Sequence, residues 1–436
     1  MIELLQIFLQ LVLFLLFSYF PFNKYTTSIS STFSNEDYFS LNILNLIFFL
    51  LIISFLNISL KTSFIFFFLI NTILLILNLK NIILEIKNKK NIFLKLFFFL
   101  ICIFLFVNQA QNLQLGYDGL QIWKLKTNNF YNGYNYFESA SQYDLVKQYP
   151  HLGSFLWAYF WENSIGNKEY FGRLFHIYIY IFSLFLLVSS LKKIDEIKKI
   201  ILISLLIFFS YDIELNGYQE YLIFSLLIIA TRFLLKITNK ENRQKNLFYF
   251  YMFVISLILI CYVKNEGIFY SAFFCIIFIF FKKLYSKKII LVSILTFVII
   301  LQFYISKNVH NLDNSFQFSL NDNIFNNQNL FSFTEIFYRI SMTIFYSVHA
   351  MFKYPIILIS FFAVLLSAYN IRKSKENMPL LFFFFLNIIF IFSIYIVTPF
   401  PFEWHLQTSI KRLYLQTSGL YIFLIINIIN KKLIKI

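Results

Sequence analysis

Hydrophobic residues fill long blocks of the chain, and short polar segments separate these blocks. The blocks cover residues 4–20, 41–60, 62–79, 95–112, 173–191, 200–214, 218–236, 247–263, 267–281, 289–305, 354–371, 378–397 and 411–430. Most approach the length of an α-helix that spans the hydrocarbon core of a bilayer, so the pattern predicts an all-α polytopic membrane helix bundle with about 11–13 transmembrane helices. The two shortest blocks, 200–214 and 267–281, require flanking residues or a locally thinner bilayer.

Composition supports a membrane protein and excludes two other classes. Only 13% of the residues are charged, whereas 59% are hydrophobic and 22% are aromatic. A soluble domain carries about 25% charged residues, and a disordered chain has few apolar ones. Cys102, Cys261 and Cys275 all fall inside apolar blocks, which gives no metal-binding spacing and no evidence for a disulfide.

The formal charge of +16 reflects topology and does not predict a nucleic-acid partner. Lys and Arg concentrate in six loops, at residues 80–95, 192–199, 232–245, 282–288, 372–375 and 431–435. Short cytoplasmic loops carry such an excess, so we predict that all six are cytoplasmic. The long connections 113–172 and 306–353 then lie on the extracytoplasmic face, as does the N-terminus. Residues 334–351 are expected to form an interfacial helix.

The first large outer loop contains two candidate sites. Asp118 lies between two glycines at the mouth of the bundle and suits a general base; the alternative, which spacing alone favours, is that Asp118 caps the helix carrying Trp123. Tyr149 and His151 flank Pro150 at the start of an aromatic stretch. The membrane interface alone explains that stretch, and a lone His there is usually a hydrogen-bonded spectator.

Two outer turns add charged residues beside apolar helices. Glu220 lies at the start of a span, where an ionised group needs a partner or a watery cavity; otherwise it is a solvated turn carboxylate. A tight turn requires only residues such as Asn and Gly, so it does not explain the charged side chains of Lys264 and Glu266. They either serve a site or pair with each other.

The last outer segment, residues 399–412, places His405 and Arg412 at the outer end of the final span, against the general charge trend. A guanidinium can bind two oxygens of a phosphate at once. The alternative for Arg412 is snorkelling towards lipid headgroups.

All of these clusters fall on one face under a topology that was derived without them. The sequence therefore predicts a vestibule that can hold an anionic lipid headgroup and deprotonate a hydroxyl. The side chains expected to converge there are Asp118, Glu220, Lys264, Glu266, His405 and Arg412.

The same segments resemble the GT-C superfamily of integral membrane glycosyltransferases, which includes protein O-mannosyltransferases and lipid A aminoarabinose transferases. The resemblance rests on residues 116–126, Tyr149 with Pro150, residues 264–267 and residues 404–412. It implies that residues 1–94 form additional N-terminal transmembrane helices and that residues 95–436 form a GT-C-like membrane domain with extracytoplasmic loops 113–172 and 306–353. The family loop normally follows the first span, whereas here it follows the fourth.

Two positions depart from the family pattern. The family has an acid before the Tyr-Pro pair, where this chain has Gln148. It also has an acid after Gly-Tyr-Ala, where this chain has Glu220 after Gln219.

The resemblance implies sugar transfer from a polyprenyl-phosphate donor to an extracytoplasmic lipid, glycan or protein, in a membrane expected to be the bacterial inner membrane. The implied roles are Asp118 as the base, Arg412, Lys264 and His405 at the donor phosphate, and Glu220, Glu266, Tyr149 and His151 in support of the acceptor. No cofactor is assigned, and a divalent metal requirement stays open. The alternatives are a secondary transporter or flippase-like protein, and an envelope assembly factor without chemistry.

Overall fold

The structure, a computed structural model, describes residues 2–18, 34–87, 92–139, 149–191, 194–210, 216–217, 219–237, 243–282, 285–308, 332–371, 375–398 and 401–435. The α-helices in these ranges are α1 Ile2–Ser18, α2 Asn35–Phe55, α3 Leu60–Lys87, α4 Ile92–Gln111, α5 Lys124–Tyr131, α6 Tyr136–Ser139, α7 Leu152–Glu162, α8 Tyr170–Ser189, α9 Glu196–Ser210, α10 Glu220–Lys236, α11 Arg243–Cys261, α12 Asn265–Phe281, α13 Tyr285–Asn308, α14 Phe333–Lys353, α15 Pro355–Tyr369, α16 Met378–Val397 and α17 Phe402–Lys435.

The fold confirms the predicted all-α polytopic helix bundle, since every predicted apolar block overlaps one of these helices. In the part of the chain that the structure describes, seven helices are long and apolar enough to cross a membrane, or eight if α14 and α15 form one bent span. Other predicted spans are shorter, such as α9 with 15 residues and α10 with 17. The chain bends by 108° between α14 and α15. The segment expected to be interfacial is therefore a separate helix, and its axis is strongly inclined to that of α15.

Helix α10 lies at the centre of the bundle. Its side chains from Glu220 to Leu234 are buried, and it packs against α8, α11 and α17. Gly419 allows α17 to come close, because a Cβ there would lie 2.6 Å from the Ile228 side chain. A helix that is enclosed by other helices on all sides has no face exposed to lipid. Helix α10 therefore does not have to match the thickness of the bilayer, and 17 residues are enough for its place in the core.

Contacts between helix ends agree with the predicted grouping of loops into two faces. At one end, Glu3 accepts a hydrogen bond from the Tyr170 hydroxyl at 2.8 Å. At the opposite end, Glu376 pairs with Lys431 at 3.5 Å. Each contact joins segments that the Lys and Arg pattern assigns to the same face. Which face is extracytoplasmic stays a prediction.

Helices α1 to α3 share one hydrophobic core with the later helices. Asp37 of α2 is buried and pairs with Arg232 of α10 at 3.1 Å and with Lys236. The predicted boundary at residue 94 therefore does not separate two independent cores, although the family-based division itself stays a prediction.

Candidate functional site

The site begins at a close approach between the first large loop and the turn before α10. Residues 119–123 form a π-helical turn, and Gly116 N–H donates to the Asn216 carbonyl at 2.9 Å. A Cβ on Gly119 would lie 2.4 Å from that same carbonyl oxygen. Only glycine permits this approach, which places Asp118 beside Arg412 near the N-terminal ends of α10 and α17.

Asp118 binds Arg412 across 294 residues of sequence. Its backbone is helical, with φ −64° and ψ −34°, and its side chain makes no cap hydrogen bond within the described chain. The cap interpretation is therefore wrong: Asp118 lies inside a helical turn, and its carboxylate meets a guanidinium. The Arg412 side chain is only 14% exposed and faces inward, which also excludes snorkelling in this structure.

Glu220 and Lys264 form a buried ion pair at the base of the site. Lys264 Nζ lies 2.8 Å from Glu220 Oε1 and 3.4 Å from Glu266 Oε1. Glu220 is 0% exposed, so it is not a solvated turn carboxylate. The predicted pairing of Lys264 with Glu266 within the turn is present. The shorter contact of Lys264, however, is with Glu220, 44 residues away in the sequence.

Electrostatics keep Lys264 charged. Burial opposes its charge, but the carboxylates of Glu220 and Glu266 outweigh that effect and hold the pKa of Lys264 above its usual value. The opposite-charge effect exceeds desolvation here because two acids lie within contact distance of one ammonium group.

The two ion pairs form one continuous chain of charges. Arg412 Nη1 lies 3.9 Å from Glu220 Oε1, the oxygen that also accepts from Lys264. Three carboxylates and two cations thus occupy adjacent positions and leave a formal charge of −1. Glu220 Oε2 and Glu266 Oε2 are buried and have no hydrogen-bond partner among the described residues.

A cavity with about 400 Å³ of empty space, part of it open to the surroundings, lies against this chain of charges. Its lining residues are Asp118, Ile122, Trp123, Tyr149, Lys264, Glu266, His405, Ser409, Arg412 and Leu413. The structure thus brings together seven of the eight site residues predicted from sequence: six line the cavity, and Glu220 lies beneath it.

Tyr149 and His405 both contribute to the wall of the cavity. Lys126 Nζ donates to the Tyr149 carbonyl at 2.6 Å, and the Tyr149 ring packs edge-on against Trp123. Burial raises the pKa of Tyr149, so its hydroxyl stays protonated. His405 Nδ1 and the Thr398 hydroxyl lie 2.7 Å apart.

The structure does not place His151 with the other predicted residues. Its Nε2 lies 2.7 Å from the Ser54 hydroxyl of α2, and its ring stacks on Tyr136 at 3.9 Å. Among the described residues that line the cavity, His151 is absent. It joins the outer loop to α2, which matches the spectator alternative. The family departure at Gln148 falls outside the described residues.

Sequence reasoning missed Ser409 and Lys126. Ser409 lies four residues after His405 and three before Arg412, a spacing that puts all three side chains on one face of α17. That periodicity was a usable signal. Lys126 had no comparable signal, because its partner is a backbone carbonyl 23 residues away.

Searches of family models, curated proteins and solved structures found no match to this chain. Within the described ranges, no three His, Cys, Asp or Glu side chains are grouped so that they could hold a metal ion.

Proposed function

We propose that the protein is a membrane glycosyltransferase that moves a sugar from a polyprenyl-phosphate-linked donor to an extracytoplasmic acceptor. The observation that carries the proposal is the Asp118–Arg412 contact at the mouth of a cavity between membrane helices. A base and a phosphate-binding cation are the two groups that such a transfer requires side by side.

In this reaction, Asp118 accepts the proton of an acceptor hydroxyl as that oxygen attacks the anomeric carbon of the sugar. The bond between the anomeric carbon and the phosphate oxygen breaks, and the phosphate leaves with the electron pair. Arg412 stabilises the negative charge that grows on the leaving phosphate, because its planar guanidinium can donate to two oxygens.

Lys264 and the two glutamates have a supporting role in this proposal. The Lys264 side chain is 7% exposed and contacts both Glu220 and Glu266, so it is poorly placed to bind the donor as well. We infer that it fixes the two carboxylates, and that Glu220 in turn positions Arg412. His405 and Tyr149 shape the cavity wall.

The location follows from the same proposal. The cavity lies at the end of the bundle that we assign to the extracytoplasmic face by the Lys and Arg distribution. The donor headgroup would enter there while its polyprenyl chain stays between helices in the membrane, which we take to be the bacterial inner membrane.

Substitution of Asp118 tests the proposal directly. The full chain in proteoliposomes is supplied with radiolabelled polyprenyl-phosphate sugars and an envelope extract, and transfer of label is measured. Asp118→Asn should lower the rate by about 100-fold or more, the typical contribution of a general base. Glu403→Gln removes one charge from an exposed position on α17 and should leave the rate unchanged. Full activity of Asp118→Asn would remove the assigned base.

A secondary transporter or flippase-like protein is the second candidate. The burial of Glu220 and Lys264 inside the bundle favours it, since buried ion pairs often mark substrate or proton pathways in transporters. Solute uptake by the same proteoliposomes, without consumption of a lipid-linked sugar, would select this alternative.

A further inference from the structure

In this structure Asp118 and Arg412 bind each other, although the proposed reaction requires each of them to bind a different molecule. Arg412 would hold the donor phosphate and Asp118 the acceptor hydroxyl, yet Arg412 Nη1 donates to Asp118 Oδ2. A carboxylate bound to a guanidinium keeps its charge but offers fewer lone pairs to an incoming hydroxyl.

We propose that the donor phosphate displaces Asp118 from Arg412, so that donor binding releases the base. The acceptor is then deprotonated only when the donor is already in place. This inference rests on the proposed function and adds an order of binding to it.

The structure distinguishes a movable partner of Arg412 from a fixed one. The Asp118 side chain is 25% exposed and makes no cap hydrogen bond to the π-helical turn that follows it in the described chain. Glu220 is fully buried and accepts a hydrogen bond from the Lys264 ammonium group at 2.8 Å. Of the two carboxylates near Arg412 Nη1, Asp118 can therefore leave, while Glu220 stays and keeps the guanidinium in position.

Charge gives this exchange a measurable consequence. The five ionised groups carry a formal charge of −1, and the phosphate adds further negative charge next to them. Asp118 thus competes with the phosphate for the same nitrogen and also repels it. Removing the Asp118 charge should tighten phosphate binding, whereas removing a residue that binds the donor directly would weaken it.

The experiment measures equilibrium binding of radiolabelled polyprenyl phosphate, without a sugar, to the full chain in lipid nanodiscs. Protein-free nanodiscs give the background for partition into lipid. Asp118→Asn should bind about tenfold more tightly than the unmodified protein, the equivalent of about 1.4 kcal/mol. Arg412→Ala should bind at least about tenfold more weakly, because it loses a charge-assisted hydrogen bond.

Glu403→Gln is the charge-matched control and should not change the affinity, since it removes a negative charge from the same helix but outside the cavity lining. Asp118→Ser replaces Asp118→Asn if the latter does not insert. Unchanged or weaker binding by both Asp118 variants, with loss of binding in Arg412→Ala, would overturn the exchange and leave the proposed function standing. Binding that is independent of Arg412, or absent throughout, would overturn both.

Discussion

At the residue scale, the most constrained part of the site is the buried pair of Glu220 and Lys264. Each ion is costly to bury alone, and their attraction offsets that cost only while both are present. Glu266 adds a second carboxylate at 3.4 Å from the same ammonium group. We therefore expect this pair to maintain the position of Arg412 more than to add net stability.

This balance predicts non-additive substitutions. Glu220→Gln or Lys264→Met alone should lower the free energy of unfolding by up to about 3–5 kcal/mol, because one buried charge loses its nearest partner. The double variant should lose less than the sum of the two single variants. Thermal unfolding of all four proteins in nanodiscs measures the coupling, and additive losses would show that the two side chains do not depend on each other.

The Lys264 pair also has a defined pH dependence. The pKa of Lys264 is raised in the folded protein, so its contribution to stability is fully present below its ordinary pKa. That contribution is lost as the pH rises through the higher folded value. Unfolding measured from pH 7 to 11 should show the Lys264 contribution beginning to fall only above the ordinary lysine pKa, so the alkaline loss of stability should be smaller in Lys264→Met. The same alkaline loss in Lys264→Met would assign it to another group.

At the element scale, the position of Asp118 depends on the approach of Gly119 to the turn before α10. A Cβ at Gly119 would lie 2.4 Å from the Asn216 backbone oxygen, so one of the two segments must move. We expect Gly119→Ala to weaken polyprenyl phosphate binding and sugar transfer at least about tenfold, since a shift near 1 Å can cost more than that in rate.

Gly133→Ala is the matched control on the same loop. Its Cβ would meet nothing within 4 Å, but its φ of +92° makes any side chain strained. It should lower stability by about 1 kcal/mol and leave phosphate binding unchanged. Equal effects of the two substitutions on binding would mean that general destabilisation explains both.

The sequence predicted the elements better than their contacts. Apolar blocks of helical length mark the helices, because hydrocarbon allows few other structures. By contrast, Glu220 and Lys264 lie 44 residues apart, and His151 meets Ser54 across 97 residues. Local spacing contains no information about such partners, and it led to the wrong interpretation of Asp118 as a helix cap. Charge topology indicated a shared face, but only tertiary packing determines which side chains touch.

At the scale of the whole molecule, the N-terminal helices are bound to the core at both ends. Asp37 pairs with Arg232 and Lys236 at the C-terminal end of α10. Glu3 contacts Lys168, which precedes α8, at 3.0 Å at the opposite end of the bundle. Removal of α1 to α3 would leave Arg232 buried without its carboxylate. We therefore regard these helices as part of the fold and not as a separable addition.

The contacts of Glu3 make the orientation of the first helix testable. Because Glu3 touches the segment before α8, it must lie on the same face as the large outer loop. Single cysteines at Glu3, Tyr134 and Lys198, in a background without Cys102, Cys261 and Cys275, are treated in intact cells with a membrane-impermeant thiol reagent. Glu3→Cys and Tyr134→Cys should react, whereas Lys198→Cys should react only after permeabilisation, which serves as the positive control. If Glu3→Cys instead reacts only after permeabilisation, as Lys198→Cys does, then the N-terminus of α1 does not lie on the face that its contacts require. The position of α1 would then no longer support the assignment of the cavity to the outer face.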